Sequence, residues 1–106
     1  MRFQSEARVA TGQGKRYAAQ LGKHWAHNLA VVENGDARRI VFPRDARGAD
    51  WPGDGIVDLM PGAGSLDCRI VASAEGQLEA LKGAVERHVD RFAFREGALD
   101  YHWHDG

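Results

Sequence analysis

His88-Val89-Asp90-Arg91-Phe92-Ala93-Phe94-Arg95-Glu96 is the stretch where a helical pattern gives way to an alternating one, with aromatic and charged residues crowded at the join. Behind it, Leu78, Leu81, Val85, Val89 and Phe92 recur at helical intervals, so an amphipathic helix runs into this segment. Ser73 stands where a cap belongs, and Glu75 and Glu79 sit toward the positive end of the helix. Arg91 and Arg95 lie at the other end, where cations offset the exposed carbonyl dipoles. Past Gly97 the spacing of Leu99, Tyr101 and Trp103 has a period of two and predicts a last strand.

Further toward the N-terminus, Ile56–Met60 and Ser65–Ser73 flank Pro61-Gly62-Ala63-Gly64 and predict a hairpin with Leu66, Cys68, Ile70 and Ala72 on one face. Another hairpin is predicted where Leu29–Glu33 meets Asn34-Gly35, a pair tolerant of positive φ, with Asp36–Pro43 as the return strand. Between the hairpins, Arg44 to about Gly55 contains Pro52, several glycines and a solitary Trp51, too broken for a strand and expected at the surface. From Lys15 to His27 the apolar stripe Tyr17, Ala18, Leu21, Trp25 predicts a first helix. Ser5–Thr11 alternates as a short first strand, interrupted by Gly12 and Gly14.

The order is thus β-α-β-β-β-β-α-β. Helices and strands with one apolar side each bury most surface when both helices cover one face of an antiparallel sheet, so the fold class is α+β, a two-layer sandwich. Tyr17, Leu21 and Trp25 are expected to press with Leu81, Val85 and Phe92 onto a shared sheet surface. At roughly 25 cal/mol per Å² a buried Trp25 or Phe92 contributes about 2 to 3 kcal/mol, more than a surface ion pair supplies. Whether the first strand pairs with the fifth, the last, or both is open at this level.

Composition narrows the function classes. The 106 residues make one domain, 1–106, and 43% hydrophobic against 27% charged residues suits a packed core. A formal net charge of -1 with interspersed signs offers no basic face for nucleic acid. The lone Cys68 cannot form an intrachain disulfide and reads as a small buried hydrophobe. The opening MRFQSEARVA lacks the apolar run of a secretion signal or membrane span, so the expectation is a cytoplasmic protein. No Ser-His-Asp spacing, Gly-rich phosphate loop or HExxH string is present, and Gly12-Gln13-Gly14 is too short for a dinucleotide fingerprint. Nothing in the chain argues for an enzyme.

The candidate site residues are histidines and arginines. His24 and His27 stand three apart on the first helix, where one face can present both imidazoles, common ligands of borderline transition metals. By helical angle His24 falls beside Tyr17 and Leu21, whereas His27 lies about 60° away beside Gln20. The simpler reading is a core-edge histidine bonded to backbone and a second, surface histidine. If the margins of the two helices meet, His88 joins them, and His24, His27 and His88 would offer zinc or non-haem iron a site with open positions. Structural zinc is disfavoured, since its usual cysteines are missing. Arg91 and Arg95, with Glu96, could grip a carboxylate or phosphate; the competing reading is dipole compensation with an Arg–Glu pair across the turn. His102 and His104 share the outer face of the last strand and are expected to be solvated.

Three strings together, SEARVAT, KRYAAQLGKHWAHN and HVDRFAFRE, resemble a family of small bacterial proteins known as domain of unknown function 2218. The family's marked positions fall here on Arg16, Tyr17, Gln20, Leu21, Lys23, His24 and His27, and on His88, Arg91, Phe92, Phe94, Arg95 and Glu96. The chain departs from the family pattern in a longer loop at 44–55 and at Asn28, where a second basic residue is common. Members of the family stand alone or follow siderophore-interacting flavin reductases on one polypeptide. The family has no assigned activity, so the resemblance implies by association alone an accessory or binding domain linked to siderophore or iron utilisation, with such a reductase as partner; iron or zinc enters only as what the histidines His24, His27 and His88 could hold. Two alternatives stand beside it: an interaction module without ligand, using Trp51 and Trp103 in a homo-oligomer or partner patch, and a histidine-dependent enzyme.

Overall fold

A computed structural model describes residues 3–106. The elements are β1 (Phe3–Ala10), α1 (Gly14–Trp25), β2 (Ala30–Asn34), β3 (Ala37–Phe42), β4 (Gly55–Pro61), β5 (Ser65–Ala72), α2 (Glu75–Phe92) and β6 (His104–Asp105). The strands form one antiparallel sheet in the order β2-β3-β4-β5-β1-β6, and both helices lie on one of its faces. The α+β sandwich expected from the patterning is the fold observed. The open pairing question resolves as both: β1 lies between β5 and β6.

Alternation sorts each strand between the two faces. Val9, Ile40, Val57, Leu59, Leu66, Cys68 and Ile70 point under the helices and are fully buried, or nearly so, against Tyr17, Leu21, Trp25, Leu81 and Val85. The opposite face is closed by charge rather than by a second layer. Arg39, Asp58, Arg69 and Glu6 stand side by side across β3, β4, β5 and β1, with Arg39–Asp58 at 2.8 Å and Arg69–Glu6 at 2.7 Å. Alternating signs between directly opposed residues keep this solvated face compatible with the pairing register.

Gly14 sets how closely the start of α1 can approach the sheet. A Cβ there would meet the Ser65 carbonyl oxygen at 2.6 Å, so only glycine lets the start of α1 lie against the β4–β5 turn. In the first hairpin the turn residues are Gly35-Asp36, with Asn34 still paired to Ala37. Gly35 alone takes positive φ (60°), the arrangement with glycine at the first central position, so the turn sits one residue later than the Asn34-Gly35 pair suggests.

Three further expectations are corrected. The last strand does not span Leu99–Trp103; only His104 and Asp105 pair with β1. The alternation there serves α2 instead. Tyr101 donates to Asp90 at 2.8 Å and the Trp103 indole N–H to Glu86 at 2.8 Å, two carboxylates one turn apart that hold the chain beside the helix. A period of two specifies extended backbone, not a ladder partner. Ser73 does not cap α2, because the N-cap is Ala74; the Ser73 hydroxyl bonds to Gly53 and Gln77. Phe92 is half-buried rather than fully covered, since its ring lies at the helix margin against His24.

No helix among the described residues is long and apolar enough to cross a membrane.

Candidate functional site

The two strings that carry the family resemblance face each other across the helix pair. Near the start of α1, Tyr17 is 4% exposed and donates its hydroxyl proton to Glu96, which Thr11 also bonds at 2.9 Å. Burial, followed by the neighbouring Glu96 carboxylate, raises the Tyr17 pKa, so the phenol stays protonated as a donor. Thr11 in turn accepts the Gln13 N–H at 3.1 Å. Glu96 thus ties the end of β1 and the first turn of α1 to the short 3₁₀ turn Phe94–Glu96 after α2. The expected Arg–Glu pair across that turn does not form: Arg91 and Arg95 are exposed, and the Arg95 guanidinium lies 5.7 Å from the Phe94 ring centroid.

At the other end of the helix pair the helix margins meet and bring His24 and His88 together, with ring centroids 5.2 Å apart. His88 is also packed on Trp25 at 4.9 Å. Its Nδ1 lies 2.6 Å from the Ala84 carbonyl oxygen, which can only accept, so the hydrogen sits on Nδ1 and Nε2 is left for other partners. The His24 pKa is lowered, first by burial and then by its electrostatic neighbours His88, Arg91 and His27, which favours the neutral imidazole.

His27 does not join them. Helix α1 ends at Trp25, and the chain turns through Ala26–Asn28 to the Leu29 N–H bond to Trp25 O (2.8 Å), so His27 leaves the helical register and is exposed. The three-histidine metal set His24, His27, His88 is therefore corrected to a pair. Among the described residues no group of three or more His, Cys, Asp or Glu gathers around a common point. Cys68 is buried, its thiol pushed up to about 12 by burial, and is inert as a nucleophile.

The imidazole pair forms one wall of a cleft of about 480 Å³ between the end of α1, α2 and the loop after β3. Its apolar surface includes Trp25, Leu29, Phe42, Trp51 and Leu81, with Trp25 and Phe42 edge to face at 5.4 Å. Asn28, Arg47 and Arg87 add polar groups. The 44–55 segment, expected merely to lie at the surface, closes one side of this cleft. Arg44 organises it through an ion pair with Asp50 and a bond to the Trp51 carbonyl (3.1 Å), while the Arg44 N–H bonds Asp54 (2.9 Å). Trp51 lies flush on α2, where a Cβ on Gly76 would come within 3.0 Å of the indole.

Beneath the loop, Gln77 is 2% exposed and pins it to the helix. Its carboxamide oxygen accepts from the Ser73 N–H (2.7 Å) and hydroxyl (2.6 Å), and its amide donates to Gly53 O (3.0 Å). Sequence reasoning passed over Arg47, Arg87, Phe42 and Gln77. Only Gln77 carried a signal, a glutamine in the first turn whose side chain can reach back toward the cap. Trp103 and Trp51 both pack within the chain, Trp103 stacked beside Tyr101 at 6.5 Å. His102 and His104 are exposed.

Comparison with solved structures finds the NMR structure of PA4090 from Pseudomonas aeruginosa, similar over 96% of this chain and 95% of that one, with a TM-score of 0.74 and 24% identity. That likeness concerns the fold alone. No curated protein matches the chain. Residues 6–104 match the family described as "Uncharacterized protein conserved in bacteria (DUF2218)", and with the Tyr17–Glu96 and His24–His88 contacts uniting the strings that suggested it, the chain belongs to the DUF2218 family.

Proposed function

We propose that this protein is a small-molecule-binding domain whose site is the cleft between the end of α1, α2 and the 44–55 loop. The observation that carries this reading is the cleft itself: about 480 Å³, within the range of small-ligand sites, apolar in lining, with a few converging polar groups. The contribution of the protein is burial and orientation rather than covalent chemistry. Asn28 and the 44–55 loop, the two places where the chain leaves the family pattern, both line the cleft. The Tyr17–Glu96 clamp and the His24–His88 wall stand on residues that carry the family resemblance.

The link to siderophore or iron utilisation, with a siderophore-interacting flavin reductase as partner, is supported by the company the family keeps. In this reading the cleft takes an organic chelator or its aromatic fragment rather than a bare ferric or zinc ion, because His24 and His88 provide two ligands without a third.

The test is an NMR titration of ¹⁵N-labelled protein with a library of one- and two-ring compounds, repeated on Ala84→Trp. Ala84 lines the cleft from α2, and an indole there would obstruct it. Binders should shift the Trp25 and Trp51 indole signals in the parent and lose at least tenfold in affinity in Ala84→Trp. Binders that ignore the plug would defeat the assignment.

A further inference from the structure

We infer that the ligand of this cleft is a planar aromatic anion of the aryl carboxylate class, its ring against Trp25, Phe42 and Trp51 and its acid group answering Arg47 and Arg87; this rests on the binding reading above. The chain as a whole balances 14 Lys and Arg against 15 Asp and Glu. The cleft does not share that balance. Its lining includes two arginines and two imidazoles and no carboxylate. No ion pair is formed by either arginine among the described residues, as is true of Arg16, Arg91 and Arg95, and of these five only Arg47 and Arg87 line the cleft. Of the three acids in the loop, Asp50 pairs with Arg44, Asp54 accepts the Arg44 N–H, and Asp45 lies outside the cleft lining. Unpaired guanidiniums beside apolar walls favour a ligand that is anionic at one end and apolar at the other.

Two further observations point the same way. Arg47 has φ of 56°, the left-handed region that residues with a bulky side chain seldom adopt, and it is the one non-glycine residue so placed among those described. A glycine would relieve the backbone; the arginine supplies the guanidinium at that position of the cleft. Half-buried Phe42, Trp51 and His88 line the cleft over buried Trp25, which meets Phe42 edge-on and His88 at a tilt, so the wall a flat apolar guest would meet is aromatic. His24, whose neutral form is favoured, then reports occupancy, because an anion beside it draws its titration back up.

The experiment titrates the full chain with 2-naphthoate and with its neutral isostere 2-naphthamide, following the indole N–H and His24 imidazole signals. The acid should bind at least tenfold more tightly than the amide, from charge-assisted bonds the amide cannot match. Arg47→Gly and Arg87→Met should each remove about tenfold of that preference, with Arg47→Gly leaving the fold intact because it eases the backbone. Saturating naphthoate should raise the His24 titration midpoint. Equal binding of acid and amide would overturn the anion assignment and leave the cleft a binding site; failure of both compounds to move the indoles would overturn the cleft reading as well.

Discussion

Replacing Gln77 isolates what holds the cleft's loop to the helix. Gln77→Leu keeps the approximate volume of a fully buried side chain and deletes its polar atoms, so the cost lies in hydrogen bonds rather than a cavity. Three bonds vanish, yet only one partner is stranded. The Ser73 hydroxyl has one proton to share between Gln77 and Gly53 O, and without Gln77 it gives that proton wholly to Gly53 O at 3.0 Å. Gly53 O therefore stays satisfied, and the Ser73 N–H is left without its acceptor. One buried orphan donor plus the net worth of the lost bonds amounts to about 2 to 3 kcal/mol. Gln77→Glu separates the two halves of the amide. A carboxylate still accepts from Ser73, but its second oxygen confronts Gly53 O, where the amide donated; protonated, it can donate again. Burial and that confrontation raise the folded-state pKa of the new acid above about 4.3, its unfolded value. The folded form then holds more protons between the two values, so the stability of Gln77→Glu is fullest in acid and is lost as pH rises through the folded pKa. Urea unfolding followed by tryptophan fluorescence at pH 5 and pH 8 measures both effects. A Gln77→Leu loss below about 1 kcal/mol, or a Gln77→Glu deficit identical at the two pH values, would refute this account of the pin.

The Glu96 clamp and the His24 wall give two further tests. Glu96→Ala should cost about 2 kcal/mol, because the hydroxyl of buried Tyr17 loses its acceptor, and the loss should shrink to under about 1 kcal/mol in a Tyr17→Phe background. A full loss in both backgrounds would mean that Glu96 acts through some other contact. His24 has a folded pKa below the unfolded value of about 6.5, so between the two values the unfolded chain binds more protons and stability falls as pH drops, levelling off below the folded pKa. The difference in stability between the parent and His24→Asn, followed from pH 8 to pH 5, should change in that sense; a flat difference would show that His24 is not held neutral by the fold.

The sequence by itself determined the two helices, the first five strands and the side of each that faces inward, because those depend on periods of 3.6 and 2 that every residue expresses locally. Tyr17, Leu21 and Trp25 on one helix and Leu81, Val85 and Val89 on the other could bury their stripes together only over one sheet face, and the approach of His24 to His88 follows from that packing. Tertiary structure decided matters of partnership. Whether Leu99–Trp103 pairs with a strand or lies along α2 turned on Glu86 and Asp90, far from it in sequence. Helix α1 stops at Trp25 because the chain must turn there to start β2, and that turn removes His27 from the imidazole pair. The same holds for the cleft: Arg47 on a loop, Arg87 on α2 and Trp25 on α1 share no local pattern. They meet because helix placement and loop path are set by the whole packed core, whose contacts no sequence window contains.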